Sequence, residues 1–139
     1  MKVLVYASSP NEDGLTAECA RAACSGLEAE GLEGEIVWLN DHEVAACAAC
    51  DRGWGTCREE HTCQVQDGFQ ALHEATRDAR GYVLVSPVYF GQLSESAKSF
   101  FDRLRRCEAT RGDGSALAGK PAIGVAAAGG GGGGTVSCL

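Results

Sequence analysis

Four short apolar runs, each joined to its neighbours by turn residues and helical stretches, leave this chain few architectures. Lys2 to Ala7 carries VLVY and passes directly into Ser8-Ser9-Pro10-Asn11. Glu35 to Leu39 reads EIVWL, Gly81 to Val85 reads GYVLV before Ser86-Pro87, and a last run spans about Pro121 to Ala127. Runs that are apolar at successive positions suit strands buried on both faces. Between them lie stretches with helical spacing. Residues from about Gly14 to Glu30 place Ala20, Cys24 and Leu27 on one face, before Gly31 and Gly34 stop the helix. Asp67 to Ala79 uses Phe69, Leu72 and Ala75 or Thr76. Residues 92–107 use Leu93, Ala97, Phe100, Phe101 and Leu104. Alternation of this kind predicts an α/β chain, a parallel sheet between two helical layers with right-handed crossovers. One domain spanning 1–139 is expected, with an excursion at about 40–65 after the second strand.

Composition narrows the function. With 45% hydrophobic and 22% charged residues in 139, the chain is globular in type. Its formal charge of -7 gives no counterion release from phosphate backbones, which excludes general nucleic-acid binding. No run approaches the roughly 20 apolar residues of a membrane span. The N-terminal apolar run is too short for a signal peptide, so a cytoplasmic protein is expected. In that compartment the eight cysteines are thiols or metal ligands rather than disulfides.

Three loops fall at the carboxyl ends of predicted parallel strands, where open α/β sheets bind ligands. The first, Ser8 to Thr16, leads into a helix N-terminus, a place that favours phosphate. Its spacing is neither a P-loop nor a dinucleotide fingerprint, and an ordinary capped turn is the plain alternative. The second, Ser86 to Gly91, holds two adjacent aromatics suited to a planar ring or to packing. The third is the glycine run Gly129 to Gly134, whose backbone N–H groups can approach a ligand edge. A flexible tail is its alternative. Together the loops suggest a phosphorylated planar cofactor.

The segments ASSPNEDGLTAE, SPVYFGQLSESAKSFFDRL and GKPAIGVAAAGG resemble the flavodoxin-like NAD(P)H-dependent FMN reductases, and among them the iron–sulfur flavoproteins. The likeness covers essentially the whole chain. It implies a three-layer flavodoxin-like sheet, here of order 2-1-3-4 with the family's fifth strand missing, and noncovalent FMN. By this likeness Ser9, Asn11, Gly14, Leu15 and Thr16 hold the phosphate. Pro87, Val88, Tyr89, Phe90 and Gly91 line the isoalloxazine, with Ala128, Gly129 and Gly130 at its far edge. The family commonly has Arg at the place of Asn11, and Asn or Ser at that of Leu15. The implied activity is an FMN-dependent oxidoreductase with NAD(P)H as a candidate donor and a small-molecule or protein redox partner. A homo-oligomer is also implied, and no side chain is singled out as catalytic.

Cys47, Cys50, Cys57 and Cys63 place four thiols within 17 residues. Four thiolates suit a [4Fe–4S] cluster or a tetrahedral zinc, and metal-free thiols stand beside these. The iron–sulfur flavoproteins carry a compact motif here, roughly C-x2-C-x2-C-x4–7-C. This chain matches its first and last intervals and lengthens the middle one by four residues. His42 and His61 flank the cluster as further candidate ligands or solvated loop residues. Cys19 and Cys24 are expected to be small buried residues, His73 is expected at the surface, and Asp102-Arg103 is a candidate interface ion pair, although neighbours on a helix do not face each other. The competing function is a cofactor-less or zinc-stapled interaction module on the same scaffold.

Overall fold

The computed structural model describes residues 2–130 and 132–139; Met1 and Gly131 of the glycine run lie outside them. The described strands are β1 (Val3–Ala7), β2 (Gly34–Trp38), β3 (Gly81–Pro87) and β4 (Ala122–Ala127). They form one parallel sheet of order β2-β1-β3-β4, as the alternation predicts. The helices are α1 (Leu15–Ala29), a single turn α2 (Cys50–Gly53), α3 (Phe69–Asp78), α4 (Glu95–Glu108) and a terminal turn α5 (Thr135–Cys138).

The central strand β1 is buried throughout, and its alternation divides the core. Leu4 and Tyr6 pack with Phe69, Leu72, Ala97, Phe100 and Leu104 under α3 and α4. Val3, Val5 and Ala7 pack with Ala20, Val83 and Val85 under α1. Small residues on α1 (Ala17, Ala20) let it lie close to the sheet. The helix ends in a Schellman motif: Gly31 N–H donates to Glu28 O (2.9 Å) and Leu32 N–H to Leu27 O (2.9 Å). That end needs a left-handed residue, and Gly31 at φ 72 supplies it without a Cβ clash.

Two expectations are corrected by the packing of α3 against α4. His73 is buried, not at the surface, because it shares the stripe of Phe69, Leu72 and Thr76. Its Nε2 lies 2.7 Å from Glu108 Oε1. Asp102 and Arg103 do not pair with each other or face a common partner. Asp102 takes Lys98 one turn back (2.6 Å), whereas Arg103 is buried and pairs with Asp67 (2.7 Å). Neighbours on a helix diverge by about 100°, which separates the two. Cys19 and Cys24 are half-buried against the α1 face rather than enclosed.

β4 differs from the other strands in cover. Its first three residues are exposed, and Ile123 keeps 60% of its surface in water. No helix among the described residues is long and apolar enough to cross a membrane.

Candidate functional site

The parallel register sets β1, β3 and β4 side by side with Ala7 opposite Val85 and Pro87 opposite Ala127. β3 runs on through Ser86 and Pro87, and the loops that follow Ala7, Pro87 and Ala127 therefore leave one rim of the sheet. Direct bonds tie them together. Ser8 donates to Val85 O through its N–H (3.0 Å) and its hydroxyl (3.2 Å). Val88 N–H donates to Ala127 O (3.1 Å).

In the first loop Ser8, Ser9 and Thr16 are buried. Ser9 Oγ accepts from Asn11 N–H (3.2 Å), and Asn11 Oδ1 from Asp13 N–H (3.2 Å), an Asx turn that shapes the approach to α1. The N-cap of α1 is Gly14, and no side chain caps the helix. Its first N–H groups lack intrahelical partners and carry the positive end of the helix dipole. Leu15, the first helical residue, is 59% exposed beside them.

The second loop is a tight turn in which Tyr89 and Gln92 exchange both backbone hydrogen bonds (3.0 Å each). Its central residues, Phe90 (φ 51) and Gly91 (φ 74), are both left-handed, the signature of a type I′ turn. Phe90 stands fully in solvent and Tyr89 is 40% exposed, while Ser86 and Pro87 are buried beneath them. In the third loop Ala128 is half-buried and Gly129 and Gly130 are exposed. The far end of the run returns to the second loop. A Cβ on Gly134 (φ 83) would sit 2.9 Å from Gly91 Cα, an approach open only to glycine.

Three rim residues, Ser94, Ser96 and Asn40, escaped the sequence reading. Ser86 Oγ accepts from Ser94 N–H (3.2 Å). Ser94 caps α4 by accepting from Ala97 N–H (3.4 Å). Ser96 Oγ donates to Asn40 Oδ1 (3.1 Å) and reaches Ser8 O (3.5 Å). Serine just ahead of an apolar helical period is an N-cap signal, which would have found Ser94.

The cysteine excursion builds a second centre. Cys47, Cys50, Cys57 and Cys63 all line one cavity, closed at the back by Arg103, Arg106 and Cys107 of α4. The excursion is held by tertiary bonds rather than regular structure. Arg103 donates to Ala45 O (3.1 Å), Val65 O (2.7 Å) and Asp67 Oδ2 (2.7 Å). Arg106 donates to Gly53 O and lies over the Trp54 ring. Around Cys50 the backbone is left-handed at Ala49, Asp51 and Arg52, a strained turn. The cavity holds about 20 Å³, room for roughly one water molecule. Among the described residues no group of three or more His, Cys, Asp or Glu is set to hold a metal ion. His42 and His61 do not line the cavity, and His61 Nδ1 instead meets the Thr110 hydroxyl (3.1 Å).

Charge in the cavity follows from burial and neighbours. Burial, with Cys63 and Cys57 beside it, pushes the Cys107 thiol up to about 12. Burial alone would lower the Arg103 pKa, but Asp67 and Cys63 outweigh it and the net direction is up. Burial raises the Asp67 pKa, and Arg103 with the N–H groups of Ala45 and Phe69 brings it below the ordinary value. The cavity does not adjoin the rim. Ser96 sits at the rim end of α4, and Arg103 and Cys107 lie about 10 and 16 Å further along that helix at 1.5 Å per residue.

Sheet order and rim define a flavodoxin-like α/β protein with its ligand edge at a topological switch point. The sequence pattern of the NADPH-dependent FMN reductases matches residues 1–138, and the chain belongs to that family. It is 35% identical over 105 residues to an iron-sulfur flavoprotein of Methanocaldococcus jannaschii, covering 76% of this chain and 52% of that one. It is 31% identical over 103 residues to an iron-sulfur flavoprotein of Methanosarcina thermophila, covering 74% and 52%. The chain thus spans about half the length of these curated relatives. In fold it is similar to the NAD(P)H:quinone oxidoreductase from Methanothermobacter marburgensis. The TM-score is 0.72 at 16% identity, over 93% of this chain and 64% of that one.

Proposed function

We propose that residues 1–139 form one FMN-binding domain of an FMN-dependent oxidoreductase, with an iron–sulfur group held by the 40–65 excursion. The observation that carries the first part is the meeting of three loops, distant in sequence, on one rim. The uncapped N-terminus of α1 and the buried Thr16 and Ser9 suit a phosphate. In this reading Ser9, Asn11, Gly14, Leu15 and Thr16 surround it. Pro87, Val88, Tyr89, Phe90 and Gly91 cover the ring, and Ala128, Gly129 and Gly130 present backbone N–H groups to its edge. Bound FMN supplies two-electron and one-electron chemistry, with NAD(P)H as donor. The chain's own groups bind, orient and shield, and none of them moves a proton.

The donor chemistry of the excursion supports the second part. Cys47, Cys50, Cys57 and Cys63 surround a common cavity beside two guanidinium groups, and thiolates are the ligands of iron–sulfur clusters. With the cavity about 10–16 Å along α4 from the rim, a neighbouring subunit's rim is a second route for electrons. A cytoplasmic homo-oligomer belongs to the same proposal, and the exposed Ile123 of β4 is in keeping with it.

Anaerobic purification followed by a visible spectrum and analysis of FMN, iron and acid-labile sulfide tests both parts. Stoichiometric FMN with iron and sulfide is expected. A colourless protein carrying zinc would reject the proposal.

A further inference from the structure

Arg103 is the most deeply buried charged residue, at 1% exposure, and its guanidinium is used unevenly. Nη1 and Nη2 donate to two carbonyls and the Asp67 carboxylate, and the group stacks over the Phe69 ring at 4.4 Å. The fifth donor, Nε–H, has no partner. Leaving a buried donor without an acceptor is costly, and native proteins keep few of them. Among the described residues the other is Arg111 Nε, which lies 3.5 Å from Glu108 Oε1 and is electrostatically compensated. The Arg103 guanidinium pairs with Asp67 through Nη1, but its Nε has no acceptor, and the residue lines the cavity where four cysteines converge.

We infer that Arg103 donates its Nε–H to a sulfur of the group held in the cysteine cavity and so raises that group's reduction potential. The inference rests on the iron–sulfur reading above. Hydrogen bonds to cluster sulfurs stabilise the added electron, and a guanidinium that stays charged adds to the effect. Arg103 is thus a positioning and tuning residue. Two of its nitrogens fix the flanks of the excursion at Ala45, Val65 and Asp67, which leaves Nε for a sulfur in the cavity that the residue lines. Sequence order hid this, because the cation sits 40 residues beyond Cys63.

The test is an anaerobic redox titration of the cluster, followed by electron paramagnetic resonance, in the full chain, R103K and R106K. Lysine keeps the charge and replaces Nε–H by a methylene. R103K is expected to lower the reduced-to-oxidised ratio at a fixed potential about tenfold, or about 59 mV for one electron. R106K, on the same wall, is expected to change it less than twofold. An R103K protein with full iron and an unmoved potential overturns the inference and leaves the cluster reading standing. Should R103K lose its iron, the unmodified chain labelled with 15N at arginine Nε decides. A 15N coupling to the reduced cluster, retained in labelled R106K, supports the contact, and its absence overturns it. Iron and sulfide missing from the unmodified chain overturn the cluster reading and this inference together.

Discussion

Phe90 combines a left-handed backbone (φ 51) with a ring wholly in water, and neither gains anything in the free chain. The backbone costs about 1–2 kcal/mol for a residue with a Cβ of this size. Asparagine tolerates that conformation and favours type I′ turns. Phe90→Asn is therefore expected to stabilise the chain by about 1 kcal/mol in denaturant melts and to weaken FMN by about 0.5–1.5 kcal/mol through lost stacking. A variant that binds FMN unchanged would remove Phe90 from the ring site. Thr16 is the corresponding residue of the proposed phosphate loop, buried in the first turn of an uncapped helix. Thr16→Val should weaken FMN by about 1–3 kcal/mol if the hydroxyl meets the phosphate; equal affinity by fluorescence titration rejects that role. The exposure of Tyr89 and Phe90 was legible in the sequence, since two aromatics beside a glycine at a strand end have little to pack against. The strain was not legible, because it depends on the two-residue turn that Gln92 closes from outside the motif.

Glu108, held between α3 and α4, adds to the acid sensitivity of the fold. Glu108 accepts from Ser115 Oγ (2.7 Å) and Ala116 N–H (3.2 Å) and meets His73 Nε2, with Arg111 nearby. Burial would raise its pKa, but these partners outweigh burial and hold it below the ordinary value. A depressed carboxylate stabilises the fold above its unfolded pKa, about 4.3. That stability is lost as pH falls through the lower folded value. Glu108→Gln should cost roughly 2–3 kcal/mol at neutral pH and flatten the loss of stability between about pH 5 and pH 3. Chemical denaturation across that range measures both, and a slope equal to the parent's would contradict the account. Helical periodicity located both helices, yet hid His73 and Arg103, because polar residues on an apolar stripe read as surface until their buried partners are known. The excursion was legible only as a cysteine spacing. Its shape comes from Arg103 and Arg106 gripping distant carbonyls, which no local pattern encodes. Cys50→Ser should sharply lower the iron content of anaerobically purified protein, and full occupancy would take Cys50 out of the ligand set.

At the scale of the molecule, alternation of apolar runs and helical stretches was enough to order the sheet. Parallel strands joined by right-handed crossovers leave few arrangements, and a strand buried on both faces marks itself by continuous apolarity. Val3–Ala7, buried at every position, is the plainest case. β4 was legible as a strand and, in an expected order 2-1-3-4 with the family's fifth strand missing, also as the edge of the sheet, where Ile123 is exposed. The meeting of the three loops followed from topology alone, because each leaves the same end of a parallel strand. What the rim holds is the central claim, and titration of the flavin-free chain with FMN and with riboflavin tests it most directly. Saturable quenching of flavin fluorescence at one FMN per chain is predicted, with riboflavin, which lacks the phosphate, at least tenfold weaker, or about 1.4 kcal/mol. No saturable binding, or riboflavin bound as tightly as FMN, would contradict it.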